Sequence, residues 1–330
     1  MNASWFSFHL SDFAFSFLSI LFEGIPFLFL GSLISGAIDA FVSPATLTKL
    51  LPKNPNAAIA LSGLLGAIFP MCECGSVVII RRFIRKGLPV SCAVTYMLGA
   101  PIVSPIVALS TLAAFRGQSP IVMTSLRLIF GYFISILVGF AVQHLPHAKL
   151  LQRGVLESLP QRQSGARTAF RIAAASAASG DESGNAALDF DFESGVRAKI
   201  FRAIQAAASD FLDVAFFFVV GAAIAATLNT AVNQQLILPL ATNPTPAILA
   251  MMVLAFFLAL CSSTDAFIAA SFVTFPFAAK LAFLVFGPVF DIKLFFLYGA
   301  VFRRWFVICL LFGLFVLIAV ICSRIAVLSL

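Results

Sequence analysis

The chain reads as an all-α polytopic membrane protein, with about eight transmembrane helices arranged as two internal repeats containing broken helices. Three observations predict this. Of 330 residues, 61% are hydrophobic and only 11% charged, too little charge to cover a water-soluble domain. Apolar runs as long as the roughly 20 residues that cross a bilayer recur along the chain. Residues of the first half also return, in order, in the second. Barrel strands would give short alternating segments instead of continuous runs, which excludes that class.

The runs cover residues 13–41, 57–80, 88–115, 119–144, 207–230, 246–270, 277–300 and 304–323. The first is long and carries Glu23 and Pro26, so it is read as a membrane helix and not as a signal peptide. Glu23, Phe27, Gly31 and Ile34 reappear about 190 residues later as Asp213, Phe217, Gly221 and Ile224. Asn54-Pro55, Cys72, Ile79 and Phe83 reappear as Asn243-Pro244, Cys261, Ile268 and Phe272, and Pro89 and Pro101 as Pro276 and Pro288. Four crossings per repeat would make the repeats parallel, whereas an odd number would invert them.

The repeats occupy 1–144 and 196–330. Between them, 145–195 is a cytoplasmic linker whose centre is too poor in aliphatic residues to order itself. Val196, Ile200, Ile204 and Ala208 then recur at helical spacing opposite Arg197 and Arg202, predicting a short amphipathic helix on the membrane surface ahead of the second repeat.

Lys and Arg set the orientation. Arg81, Arg82, Arg85 and Lys86 share one short connection, and Lys149, Arg153, Arg162, Arg167, Arg171, Arg197, Lys199 and Arg202 fall within 145–206, so both segments are expected in the cytoplasm. Eight crossings put both termini there as well and leave Lys49, Lys53, Arg116, Arg303 and Arg304 outside. The net charge of +7 then reflects topology and attraction to anionic membrane lipid, and no nucleic-acid motif accompanies it.

Chemistry concentrates in Pro70-Met71-Cys72-Glu73-Cys74-Gly75 and in Cys261-Ser262-Ser263-Thr264-Asp265, at matched places in the two halves. Ionisable groups at membrane depth are costly and mark substrate pathways. About nine residues separate Cys72 from Arg81, so Cys72 sits roughly 13 Å inside a core about 30 Å thick. Residues two apart on a helix point away from each other, so Cys72 and Cys74 face one ligand only in extended backbone. Pro70 and Gly75 bracket such a break, and Gly99, Pro101, Pro105, Gly287 and Pro288 mark others. Unwound backbone at this depth is tolerated where it lines a cavity. Thiolates select soft, thiophilic species.

Cys72, Cys74 and Gly75 are therefore the candidate substrate site, with Cys261 a further ligand and Asp265, Asp291 and Lys293 lining the facing breaks. Glu73 is expected to face away from its flanking thiols. Glu23 and Asp213, at equivalent places, are the candidate proton carriers, since burial favours the neutral acid. Pairing with Lys280, Lys293 or Arg127 is the structural alternative for these carboxylates. Lone Cys92, Cys309 and Cys322 read as small hydrophobes.

His9, His144 and His147 have no second-ligand pattern nearby, and Ser-His-Asp and phosphate-loop patterns are absent, so no cofactor, metal or enzymatic activity is expected. The expected partners are membrane lipid and a small-molecule substrate, with homo-oligomerisation left open. A rival reading makes the chain a thiol-disulfide electron conductor in which Cys72 and Cys261 pair transiently. The usual redox spacing is Cys-x-x-Cys, and here it is shorter.

As a set, Glu23-Gly24-Ile25-Pro26-Phe27-Leu28-Phe29-Leu30-Gly31, Cys72-Glu73-Cys74-Gly75, Arg85-Lys86-Gly87, Gly99-Ala100-Pro101-Ile102-Val103-Ser104-Pro105, Cys261 to Phe272 and Gly287 to Lys293 resemble the bacterial permeases that include the ArsP-type efflux permeases for trivalent organoarsenicals. The resemblance covers most of the chain outside the linker. It implies an inner-membrane, roughly eight-helix permease in which Cys72, Cys74 and Gly75 carry the Cys-x-Cys-Gly element. The chain departs from the pattern at Ser104, where Asn is usual, and at Val77 and Val78, where a Pro is common. On this basis the expectation is secondary-active efflux of a soft, thiol-reactive solute by alternating access.

Overall fold

A computed structural model describes residues 10–41, 52, 54–68, 71–146, 150–152, 192–231 and 243–328. Among them are twelve helices: α1 (Leu10–Phe41), α2 (Pro55–Ile68), α3 (Glu73–Arg85), α4 (Val90–Gly99), α5 (Pro105–Ala114), α6 (Pro120–Gln143), α7 (Phe192–Ala231), α8 (Pro244–Leu258), α9 (Asp265–Ser271), α10 (Phe277–Phe286), α11 (Ile292–Tyr298) and α12 (Arg304–Leu328). Beyond helices, the described residues contain an isolated bridge between Leu151 and Phe302. Four helices, α1, α6, α7 and α12, are long and apolar enough to cross a membrane. The remaining four apolar runs are each divided in two, as α2–α3, α4–α5, α8–α9 and α10–α11.

Close contacts give the direction of each helix. On α1 and α7, Gly24 meets Phe218, Ser35 Oγ donates to Asp210 Oδ2 at 2.7 Å, and Gly36 meets Ala203 and Ala207, so the two run antiparallel. Small residues let these backbones approach closely, as lipid-embedded helices require. Helix α3 runs parallel to α1: Gly75 lies beside Gly31, and Arg82 reaches Asp210, which is level with Ser35. Gly139 of α6 sits near Ile59 and Thr95, while Gly131, earlier in α6, meets Ile102. Helices α2 and α4 therefore start together at the end where α6 finishes and α7 begins. We call this the linker end.

From the linker end α2 rises to mid-depth and α3 returns to where it started, forming a hairpin. Helix α4 also rises to mid-depth, but α5 continues past the break to the far end. The second half mirrors this. Gln118, in the turn from α5 to α6 at the far end, donates to the Ala270 carbonyl and accepts from Lys280. Helix α9 thus runs back to the far end, where α7 delivers the chain to α8. Helix α11 continues α10 to the linker end, where Gln152 and Arg303 join residues 150–152 to 299–303.

The eight crossings expected from the apolar runs become six end-to-end traverses and two hairpins entering from opposite ends. Residues 55–85 fold back as two helices of 14 and 13 residues, whereas α4 and α5, at ten residues each, are joined in line as one traverse. An odd number of traverses per half has a second consequence. The Leu10 end of α1 lies opposite the linker, and not on the linker's side as expected. The amphipathic helix expected ahead of the second half is also not separate, because α7 continues unbroken through it for 40 residues.

Helix α4 is buried along its whole length, and α10 from Ala278 to Phe286. Helix α4 packs between α2 and α6, α10 between α8 and α12, and α6 touches α10. This forms a buried double core. Apolar side chains such as Phe15, Ile129, Phe216 and Phe312 project outward from the long helices.

Candidate functional site

Three of the four breaks converge at mid-depth on one side chain. Lys293, in the first turn of α11, donates from Nζ to Glu73 Oε1 at 3.0 Å and to the carbonyls of Ala259 and Leu260 at 2.9 and 3.1 Å. Its Nζ also lies 3.4 Å from Asp291 Oδ2. The ammonium has three protons, and all three are committed. Asp291 ends the break before α11 as its N-cap, accepting from the Leu294 N–H at 2.7 Å. The Ala259 carbonyl is presented by a backbone turned into the left-handed region (φ 49°), unusual for a residue with a Cβ and a local strain of about 1 kcal/mol or more.

At the first break, Cys72 has extended backbone and caps α3, its Sγ accepting from the Gly75 N–H at 3.4 Å. Cys74 is already inside the first helical turn, so only one of the two thiols sits on extended chain. Both still line the same crevice, together with Ile20, Glu23, Gly24, Phe27, Glu73, Phe218, Cys261 and Lys293. Its free volume is about 10 Å³, room for about one water molecule. Glu73 is 1% exposed and lines the crevice together with its flanking thiols, its Oε2 4.0 Å from Cys261 Sγ across the break. An N-terminal first turn is a favourable place for a carboxylate, and Lys293 supplies the countercharge that draws it inward. Pro70 lies outside the described residues.

The other predicted residues are placed as follows. Glu23 accepts from Thr264 Oγ1 at 2.7 Å on the rim of the crevice. Its counterpart Asp213 is elsewhere, 56% exposed and paired with Arg81 at 2.8 Å. Asp265 does not line the crevice: Arg127 Nη2 holds both of its oxygens, at 2.9 and 3.0 Å. Arg127 is 0% exposed and also donates to the Ser262 carbonyl and to Thr111. Gly287 lies close to Asp265 and Ala255, next to the cluster. Gly99, Pro101 and Pro105 belong to the break between α4 and α5, where Ala100 packs on Gly66 and Ile102 on Gly131; that break stays outside the crevice. Lys280 pairs with Gln118.

Sequence reasoning missed Asp210. It is 1% exposed and gathers Arg82 at 2.7 Å, Arg85 at 3.7 Å and Ser35 at 2.7 Å. Its signal was available: an acid in the apolar stretch of α7 one helical turn before Asp213, with a basic triplet elsewhere to answer it. All six cysteines are free thiols. Among the described residues, no set of three His, Cys, Asp or Glu side chains is placed to hold a metal ion.

The pattern of a family described as "Predicted permease" (ArsP_1) matches residues 9–328, nearly the whole chain. The chain belongs to this predicted permease family. Two curated relatives agree with the permease assignment in extent. The UPF0718 protein YcgR of Bacillus subtilis is 34% identical over 296 residues, covering 89% of this chain and 90% of its own. A Streptococcus mutans protein named "Putative two-component membrane permease complex subunit" is 34% identical over 281 residues, covering 84% of the permease chain and 82% of its own. No solved structure matches the permease at significant similarity.

Proposed function

We propose that this permease is a secondary-active transporter of the inner membrane that carries a small thiophilic solute, trivalent organoarsenicals being the leading class, outward by alternating access. The observation that carries the reading is the meeting of Cys72, Cys74 and Cys261 on one crevice at the junction of broken helices, beside the Lys293–Glu73 pair. Soft sulfur ligands give the selectivity. Cys72 and Cys74 take the substrate first. Cys261, on a different break, joins only when the breaks shift, since the described side chains do not converge as they stand. Glu23, at the rim, is the proton carrier this arrangement favours over ion-paired Asp213.

On this reading the two halves are duplicated units of three crossings and one re-entrant hairpin each, inverted relative to one another. Charge supports the placement. With the linker end in the cytoplasm, the connection carrying Lys49 and Lys53 and the turn carrying Arg303 and Arg304 join Arg81 to Lys86 and the linker on the inner side. Arg116, Lys280 and Arg324 are left outside, with Arg127 and Lys293 buried between. The name of the Streptococcus mutans relative supports adding a second polypeptide, in place of the self-association left open by the sequence. The mass of the complex extracted from native membranes separates the two.

The test is a resistance and uptake panel with arsenite, methylarsenite, mercury and thiosulfate in cells lacking or expressing the protein. Cys72→Ser with Cys74→Ser is expected to abolish export of the solute that the parent exports. Unchanged export would remove the thiols from the mechanism.

A further inference from the structure

The α1–α7 pair packs against α3 and α11, the two half-helices of the linker end. The approach is tight: a Cβ on Gly31 would lie 2.9 Å from Gly75 Cα, and one on Gly221 2.9 Å from Lys293 Cα. By sequence equivalence the counterparts of α3 and α11 are α9 and α5, and they do not do the same. Helix α9 packs instead on α5 and α10, while Thr264 at its start is exposed beside Glu23. Two units with matching sequence thus hold different positions against the same central pair. In inverted repeats, that difference defines which way a site faces.

We propose that the α1–α7 pair is the moving element, that it swings between α3 with α11 on the linker side and α9 with α5 on the far side, and that the present structure is closed by ion pairs toward the linker, leaving the far side, where a single Thr264–Glu23 hydrogen bond joins α9 to α1, as the side from which the site is reached. The inference rests on the permease reading given above and specifies how that site is gated. Exchanging the halves gives the other state residue by residue. Gly31 leaves Gly75 and meets Ile106, and Gly221 leaves Lys293 and meets Thr264. The crevice then opens beside Cys72 and Cys74 from the linker side.

The two closures are not equivalent. On the linker side Asp210 and Asp213 of α7 bind Arg81, Arg82 and Arg85 of α3, with Ser35 of α1 joining Asp210. At the matching far-side positions stand Ile20 and Glu23 facing Ala270, Ser271 and Thr274, with no cation among them. The ion pairs are therefore a lock on one state only, which makes the linker-closed form the resting one.

The experiment uses full-length protein in sealed membrane vesicles of each orientation, and no substrate. A Thr264→Cys reporter, with the native cysteines replaced, is labelled by a membrane-impermeant maleimide. The parent is expected to label from the far side. Asp210→Asn with Asp213→Asn should lower that labelling about ten-fold and should allow a Phe217→Cys/Thr264→Cys crosslink that the locked protein does not form. Reversing both ion pairs of Asp210, by Arg82→Asp and Arg85→Asp with Asp210→Arg, restores the lock and should return the parental pattern, which separates gating from misfolding. Labelling of the parent from the linker side, or labelling and crosslinking indifferent to the lock, would overturn the proposal. Because the readout is accessibility, loss of the thiophilic-substrate reading in the transport panel would leave this result standing, and the reverse also holds.

Discussion

Replacing Lys293 by Met removes the one cation that three breaks share. Glu73 and Asp291, each 1% exposed, would be left as carboxylates with no countercharge, and the Ala259 and Leu260 carbonyls would lose their donor. Removing one partner of a buried pair costs about 3–5 kcal/mol, because the remaining charge stays desolvated. At about 2 °C per kcal/mol for a chain of this size, the midpoint of thermal unfolding should fall by roughly 6–10 °C. Glu73→Gln in the same background removes one of the two stranded charges, leaving Asp291 and the carbonyls unanswered. The double variant should therefore recover about 2 kcal/mol or more and still remain below the parent. The assay is a thermal series in detergent read by monodisperse elution, on the parent, both single variants and the double. A Lys293→Met midpoint within the scatter of the parent, or a double variant no better than the single, would refute the view that Lys293 answers Glu73.

Arg127→Met should cost a similar 3–5 kcal/mol by stranding Asp265, with partial rescue by Asp265→Asn, measured in the same series. Gly36→Val should separate α1 from α7, since even a Cβ there would lie 2.2 Å from the Ala203 carbonyl oxygen; about 1–3 kcal/mol and a loss of compact elution are expected. Thr264→Val removes the hydrogen bond to Glu23, and should slow transport while moving the unfolding midpoint by no more than about 1 kcal/mol equivalent. Cys309→Ser, on the exposed face of α12, should leave stability within about 0.5 kcal/mol and transport unchanged.

The sequence made the membrane class, the positions of the breaks and the thiols of the crevice legible, because each rests on local signals: run length, Pro and Gly placement, and cysteine spacing. It did not make the path legible. Runs 57–80 and 88–115 are equally apolar, yet one folds back and the other continues, and that choice lies in packing between α2, α4 and α6 rather than in composition. Lys293 was recognised as lining a break, but its reach to Glu73 spans the two halves and no spacing rule encodes it. Asp265 and Asp213 illustrate the same limit, since a buried acid looks alike in sequence whether a cation answers it or a substrate does. Asp210 was passed over because its partners lie on α3, far away along the chain.

Each half keeps the counterion of the other. Arg127, made with the first half, neutralises Asp265 of the second, while Lys293 of the second neutralises Glu73 of the first. A nascent first half inserted alone would hold Glu73 without Lys293 and Arg127 without Asp265, its guanidinium keeping only Thr111, until the rest of the polypeptide arrived. Assembly is in this way checked by charge, and two halves expressed as separate polypeptides carry what they need to find one another.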